Sequence, residues 1–240
     1  MLKTLLRSVL RRFGYRLSRV PPDAYRPHPS FNEADFQRSL ATIQQTAQSS
    51  PNGFRWGKYL SRRRMMFYLY LADALEAAHL DLNGQTVLDI GTFFGDSLHT
   101  LHNRWPGATY FGTETEDTRV RITRARCPWA EVFKATIDTL GERHYDVVLL
   151  TEVLEHLEEP AEALRKLLGI ADKCLVLTVP DGRYDTNEAH AHRPEWQAYL
   201  GHINFWSPES WPRWLRSTVD RGEIQTGKLA TGQLWAIIRR

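Results

Sequence analysis

The chain has 240 residues, of which 42% are hydrophobic and 25% charged, with a formal net charge of +3. That length buries a full core unaided, and the composition excludes a disordered chain, a collagen-like fibre and a polytopic membrane protein. No uncharged apolar run approaches the ~20 residues of a spanning helix, and two cysteines, Cys127 and Cys174, cannot build a disulfide framework, which fits a reducing, cytoplasmic setting.

The charge is unevenly placed. Lys3, Arg7, Arg11, Arg12, Arg16 and Arg19 fall in residues 1–20 with no acid, leaving 25 basic against 28 acidic residues in the remainder. A mildly acidic body lacks the footprint of a general nucleic-acid binder. In the same segment Leu2, Leu5, Leu6, Val9, Leu10, Phe13, Leu17 and Val20 recur at helical spacing, with arginines between them. Such a basic amphipathic helix suits peripheral contact with an anionic membrane, at the inner face of the membrane. Packing on the body or on a neighbouring subunit is the other reading. Arginines interrupt every candidate h-region of a secretory signal, whereas an organelle transit peptide stays open.

Pro21-Pro22 ends that helix, and a linker and helical lead-in fill 21–60, with weak helical patterning over 32–50 and a turn at Pro51-Asn52-Gly53. From 61 to 240 a single domain is expected. A helix spans Ser61–Leu80. Strands follow at Thr86–Ile90, Ala108–Thr113, Glu131–Ala135, Tyr145–Leu150 and Cys174–Val179. Helices intervene up to Arg104, near 116–126, from 152 and near 160–169. A long aromatic- and His-rich loop over 181–207 precedes a helix at Pro208–Ser217, with Ser207 as its N-cap, and a last strand at Leu234–Ile238. Continuous apolar strands alternating with helices predict an α/β fold: a Rossmann-like, doubly wound, mostly parallel sheet covered on both faces.

The segment Val87-Leu88-Asp89-Ile90-Gly91-Thr92-Phe93-Phe94-Gly95-Asp96 ends a strand and opens a helix. Glycines there let backbone approach a ligand, and a helix N-terminus offers unpaired N–H groups. The second strand ends at Glu114, where a carboxylate can accept both ribose hydroxyls of a nucleoside at the carboxyl ends of the strands. "VLDIGTFFGD", "YFGTE", "YDVVLLTEVLEHL" and "LVLTVPDG" together resemble the class I S-adenosylmethionine-dependent methyltransferases over roughly residues 60–240, with a seven-stranded sheet implied. By that resemblance Asp89, Gly91, Thr92 and Gly95 surround the methionine end of S-adenosylmethionine. Glu114 holds its ribose, and Thr136, Ile137, Asp138 and Thr151 complete the cofactor site. Phe93 stands where the family's turn has its middle glycine.

Thr151-Glu152-Val153-Leu154-Glu155-His156 continues the fourth strand. If it opens a helix, Glu152, Glu155 and His156 share one face at i, i+3 and i+4. Acids in a first turn also simply oppose the helix dipole. A later "GHINFWSPESW" adds His202. The pairing of Glu-x-x-Glu-His with this histidine resembles metal-dependent O-methyltransferases of ubiquinone biosynthesis and of small-RNA 3′ ends. The resemblance implies metal ligands Glu152, Glu155, His156 and His202, with Glu152, His156 and His202 catalytic, and a donor set open to Mg²⁺, Mn²⁺, Fe²⁺ or Zn²⁺. Coordination lowers a hydroxyl's pKa and orients it for in-line attack on the sulfonium methyl. His190, His192, Arg193, Trp196 and Tyr199 in the loop suit a sugar or aromatic acceptor, or a packed lid. The expected activity is O-methylation of a saccharide or other diol, as in polysaccharide biosynthesis. The alternatives are a small aromatic or quinone precursor, or a non-catalytic cofactor-binding subunit.

Overall fold

In a computed structural model of the chain, residues 27–48, 62–183 and 201–240 are described. Six α-helices lie among them: α1 (Glu33–Gln48), α2 (Arg62–Ala77), α3 (Asp96–Arg104), α4 (Asp117–Arg126), α5 (Pro160–Ile170) and α6 (Ser210–Thr218). The strands are β1 (Thr86–Ile90), β2 (Thr109–Glu114), β3 (Glu131–Lys134), β4 (Tyr145–Thr151), β5 (Ala171–Val179), β6 (Glu223–Lys228) and β7 (Leu234–Arg239). The amphipathic segment 1–20 and residues 184–200 of the aromatic loop lie outside the described residues. Among those described, no helix is long and apolar enough to cross a membrane.

The strands form one seven-stranded sheet in the order β3-β2-β1-β4-β5-β7-β6. β7 runs antiparallel to both of its neighbours, and the other pairings are parallel. The most apolar strands take the centre. Leu88, Val148 and Leu175 face one layer, Val87, Val147 and Val176 the other, and all six are buried. Helix α2 covers the Val87, Val147 and Val176 layer with Phe67, Tyr68, Leu71 and Leu75, while α5 and α6 cover the Leu88, Val148 and Leu175 layer through Leu164, Leu167, Trp211 and Leu215. Burying each of these large apolar side chains contributes roughly 1.5–3 kcal/mol before chain entropy is set against it.

β6 (EIQTGK) carries no apolar run and was not anticipated as a strand. It is an edge strand, half-buried, and its Gly227 lies under the Trp235 ring of β7, where a Cβ would meet the indole at 2.6 Å. Edge strands need only one ladder partner and tolerate polar residues. Helix α1 is better built than its polar composition promised: Phe36, Ile43 and Ala47 pack against Met65, Phe94 and Ile122.

The β4 exit departs from expectation more sharply. Glu152 does not begin a helix. Its N–H donates to the Thr178 carbonyl at 3.0 Å, extending the β4–β5 ladder, and its φ of +55° then turns the chain abruptly. Only Leu154–His156 form a 3₁₀ turn. Glu152 therefore does not share a helical face with Glu155 and His156.

Candidate active site

The carboxyl ends of the parallel strands open into a cleft of about 1060 Å³. The first turn forms its floor. The Thr113 carbonyl accepts the N–H groups of both Gly91 and Thr92 at 3.0 Å, which folds the chain back over β2. Gly91, Phe93 and Gly95 all have positive φ (+75°, +54° and +74°). Gly91 cannot be larger, since a Cβ would stand 2.7 Å from Val153 Cγ2.

Glu114 lines this cleft from the tip of β2. Its Oε1 accepts the Phe93 N–H at 3.1 Å and its Oε2 the Thr115 N–H at 2.8 Å, with Arg119 Nη1 3.4 Å from Oε1. Thr136, Ile137, Asp138 and Thr151 also line the cleft. Asp89, Thr92 and Gly95 lie behind its wall: Asp89 and Thr92 are buried, and Gly95 packs on Thr123. Ser97 donates to Asp89 Oδ2, but buried Oδ1 has no hydrogen-bond partner among the described residues. Burial pushes the Asp89 carboxyl up to about 7, with the Ser97 hydroxyl and the Arg64 guanidinium opposing the rise. An orphaned buried acceptor behind the glycine turn, with a carboxylate at the tip of the neighbouring strand, fits a cationic nucleoside such as S-adenosylmethionine.

The other half of the cleft holds Glu152, Glu155, His156 and His202. One ligand atom each from Glu155, His156 and His202 lies within 4.8 Å of the others. Both imidazole Nε2 atoms are 3.9 Å from Glu155 Oε1, and the two rings meet edge to face at 4.6 Å. The local backbone explains the convergence. The N–H groups of Ile203 and Asn204 both donate to the Glu155 carbonyl (2.9 and 3.1 Å), and Asn204 Nδ2 donates to the Leu157 carbonyl, which pins the segment carrying His202. His156 Nδ1 is 3.2 Å from the Gly201 carbonyl. A carbonyl only accepts, so Nδ1 carries a proton, and in the neutral ring Nε2 then has the lone pair that faces the cluster. Histidine ligands are commonly oriented this way. A carboxylate only 1% exposed beside two imidazoles is a donor set that suits a divalent cation.

Glu152 faces the same cleft but is not in that three-residue group. It is held instead by the Thr178 hydroxyl at 3.2 Å and the Gln233 side chain. Burial pushes its carboxyl up to about 7, against the pull of Arg64. Asp181 lies apart from the cleft lining, bound to Arg183 and Lys228. His190, His192, Arg193, Trp196 and Tyr199 lie outside the described residues.

Arg64, Arg119 and Gln233 are among the cleft residues that escaped the sequence reading. Arg64, from the first turn of α2, sits 3.1 Å from Asp96 and is attracted to Glu152. Arg119 follows Glu114 by five residues, a spacing that returns α4 to the tip of β2 and was readable as such. Gln233 comes from the β6–β7 hairpin, invisible once β6 was missed.

A Rossmann-like sheet with the β7 reversal, a glycine turn after β1 and an acid at the tip of β2 define the methyltransferase architecture. Residues 59–218 match the methyltransferase-domain family, and the chain belongs to it. It is an S-adenosylmethionine-dependent methyltransferase. Similar solved structures include the plantazolicin methyltransferase BpumL in complex with SAH (TM-score 0.63, 13% identity, 86% of this chain and 98% of that one). Magnesium protoporphyrin IX methyltransferase (ChlM) from Synechocystis PCC 6803 with bound SAH is another (TM-score 0.58, 16% identity, 99% of each chain). A third is a chain from the complex containing the Haloferax volcanii Trm112 methyltransferase activator (TM-score 0.56, 17% identity, 72% of this chain and 90% of that one). At these identities the likeness is one of fold. No curated protein matches the chain.

Proposed function

We propose that the protein methylates a hydroxyl of a saccharide or other diol with the help of a divalent ion held by Glu155, His156 and His202. One observation carries the reading: these three side chains converge beside Glu152 in the same cleft as Glu114. Glu114 would accept the ribose hydroxyls of S-adenosylmethionine, and Asp89 would balance its positive charge from behind the turn. Thr136, Ile137 and Asp138 would flank the base. When bound, the ion would supply a Lewis acid that lowers the pKa of an acceptor hydroxyl. Gly201, through its carbonyl, keeps His156 in the ligating tautomer. Glu152, outside the three-residue group, is the carboxylate we assign to take up the hydroxyl proton. Two neighbouring hydroxyls would suit an ion with open positions better than a lone one.

A small aromatic acceptor is the second reading, favoured by Ile203 and Phe205, which are 54% and 40% exposed on either side of Asn204 next to His202. The test is transfer of labelled methyl from S-adenosylmethionine to a panel of saccharide diols, catechols and monohydroxy analogues, with metal added or chelated. The proposal expects metal-dependent transfer confined to diols. Full transfer in excess chelator, or transfer confined to the catechols, would overturn the metal or the saccharide assignment respectively.

A further inference from the structure

The family's first turn has a glycine where this chain has Phe93, and the function proposed above leaves that residue unused. A bulky side chain at a φ of +54° is an outlier that costs roughly 1–2 kcal/mol. Strain of that kind persists only where the surroundings over-determine it, and it collects at functional sites.

The surroundings here act on every part of the residue. Its N–H donates to Glu114 Oε1 at 3.1 Å, and its carbonyl accepts the Thr123 hydroxyl at 3.1 Å. Its ring packs on Phe94 with centroids 4.0 Å apart. Two guanidinium carbons lie over it, Arg64 at 4.3 Å and Arg119 at 4.9 Å from the centroid. The same Arg119 reaches Glu114 only at 3.4 Å, and reaches Glu116 at 3.2 Å. Backbone amide and ring thus hold, at once, the cleft acid and the cation that competes for it.

We propose that Phe93 is a positioning residue for the cofactor's sugar: its ring retains Arg119 so that the guanidinium does not close a bidentate fork on Glu114. An ionised carboxylate offers about four acceptor sites. Two are used by the Phe93 and Thr115 amides and a third is met at 3.4 Å by Arg119 Nη1, so closing the arginine into a fork would consume the last. With Arg119 drawn to the ring, Glu114 keeps acceptor capacity for the ribose hydroxyls. Glycine at this position would keep the amide but release the arginine. The inference rests on the assignment of Glu114 to the ribose.

The experiment is calorimetric binding of SAH to the full chain carrying Phe93→Gly, Phe93→Tyr, Arg119→Ala or the double change Phe93→Gly/Arg119→Ala. A cation–π contact of this kind is worth enough for Phe93→Gly to weaken SAH about tenfold. Phe93→Tyr, which keeps the ring, should stay within about threefold of the parent. The discriminating result is recovery: the double variant should bind SAH more tightly than Phe93→Gly, and raising the salt concentration should narrow the gap between Phe93→Gly and the parent. A merely structural role predicts neither. Unchanged affinity in Phe93→Gly, or a double variant no better than Phe93→Gly, would overturn the inference while leaving the cofactor site standing. Failure of the parent chain itself to bind SAH, or an unchanged affinity in Glu114→Gln, would instead overturn the Glu114 assignment and the inference with it.

Discussion

Asp89 provides the sharpest physical test. Its carboxyl is fully buried, and burial holds it up at about 7 against an ordinary 3.8. The folded protein therefore holds a proton there across a pH range in which the unfolded chain has lost it. Stability from this group is fully present below the unfolded value near 4 and is lost as pH rises through about 7. About three units at 1.36 kcal/mol each give an upper bound of about 4 kcal/mol, of which about 2 kcal/mol falls between pH 5.5 and 8. Asp89→Asn keeps the shape and cannot ionise. Urea unfolding of the ligand-free parent and variant at pH 5.5 and at pH 8 isolates this carboxyl from the others, because every other group is common to both. The variant should gain on the parent by about 2 kcal/mol between those pH values. It should also bind S-adenosylmethionine less tightly, since a cation there would favour the ionised acid. A stability difference that stays flat with pH, or that moves in the parent's favour as pH rises, would refute the argument from burial.

Other outcomes follow from the same geometry. Arg126→Met should destabilise the fold by about 3–5 kcal/mol, seen as a drop of roughly 10 °C in Tm, because it strips one of the two cations from fully buried Asp96. Gly91→Ala meets both a φ of +75° and Val153 at 2.7 Å, so calorimetry should show at least about tenfold weaker SAH binding together with about 1–3 kcal/mol lost stability. Glu155→Gln should weaken divalent-ion binding, measured by titration, about 100-fold while SAH affinity changes little, because Glu155 lies with His156 and His202, across the cleft from Glu114. Thr178→Val removes a hydroxyl donor from Glu152, so the pH profile of methyl transfer should shift upward, as a carboxylate that loses a donor holds its proton to higher pH.

Much of the fold was legible because the strands that matter are apolar and short. Thr86–Ile90 and the helix end at Arg104 fall where the pattern places them, and other strand ends differ by a residue or by a few. The pattern breaks where tertiary contacts override local preference. Thr151-Glu152-Val153 reads as the start of a helix, yet the Thr178 carbonyl captures the Glu152 amide and prolongs the sheet. β6 was unreadable because a half-buried edge strand has no apolar alternation to display. The positions of Glu114 and Gly91 in the cleft lining were legible from spacing. Arg64 was not, because its role comes from the ring of Phe93 and from Asp96 and Glu152, acids distant in sequence.

The reversal of β7 has a consequence for how the chain reaches this state. β7 is the last strand in sequence but lies inside the sheet, between β5 and β6. While the polypeptide emerges from the ribosome, the outer rim of β5, with Leu175, Val176 and Leu177, has no neighbour until residues 234–239 are out. A nascent or truncated product ending before that point would expose a bare apolar strand edge, the kind that recruits other chains into aggregates. Chaperone capture of such products, relieved once Leu234–Arg239 are translated, is the behaviour this topology dictates.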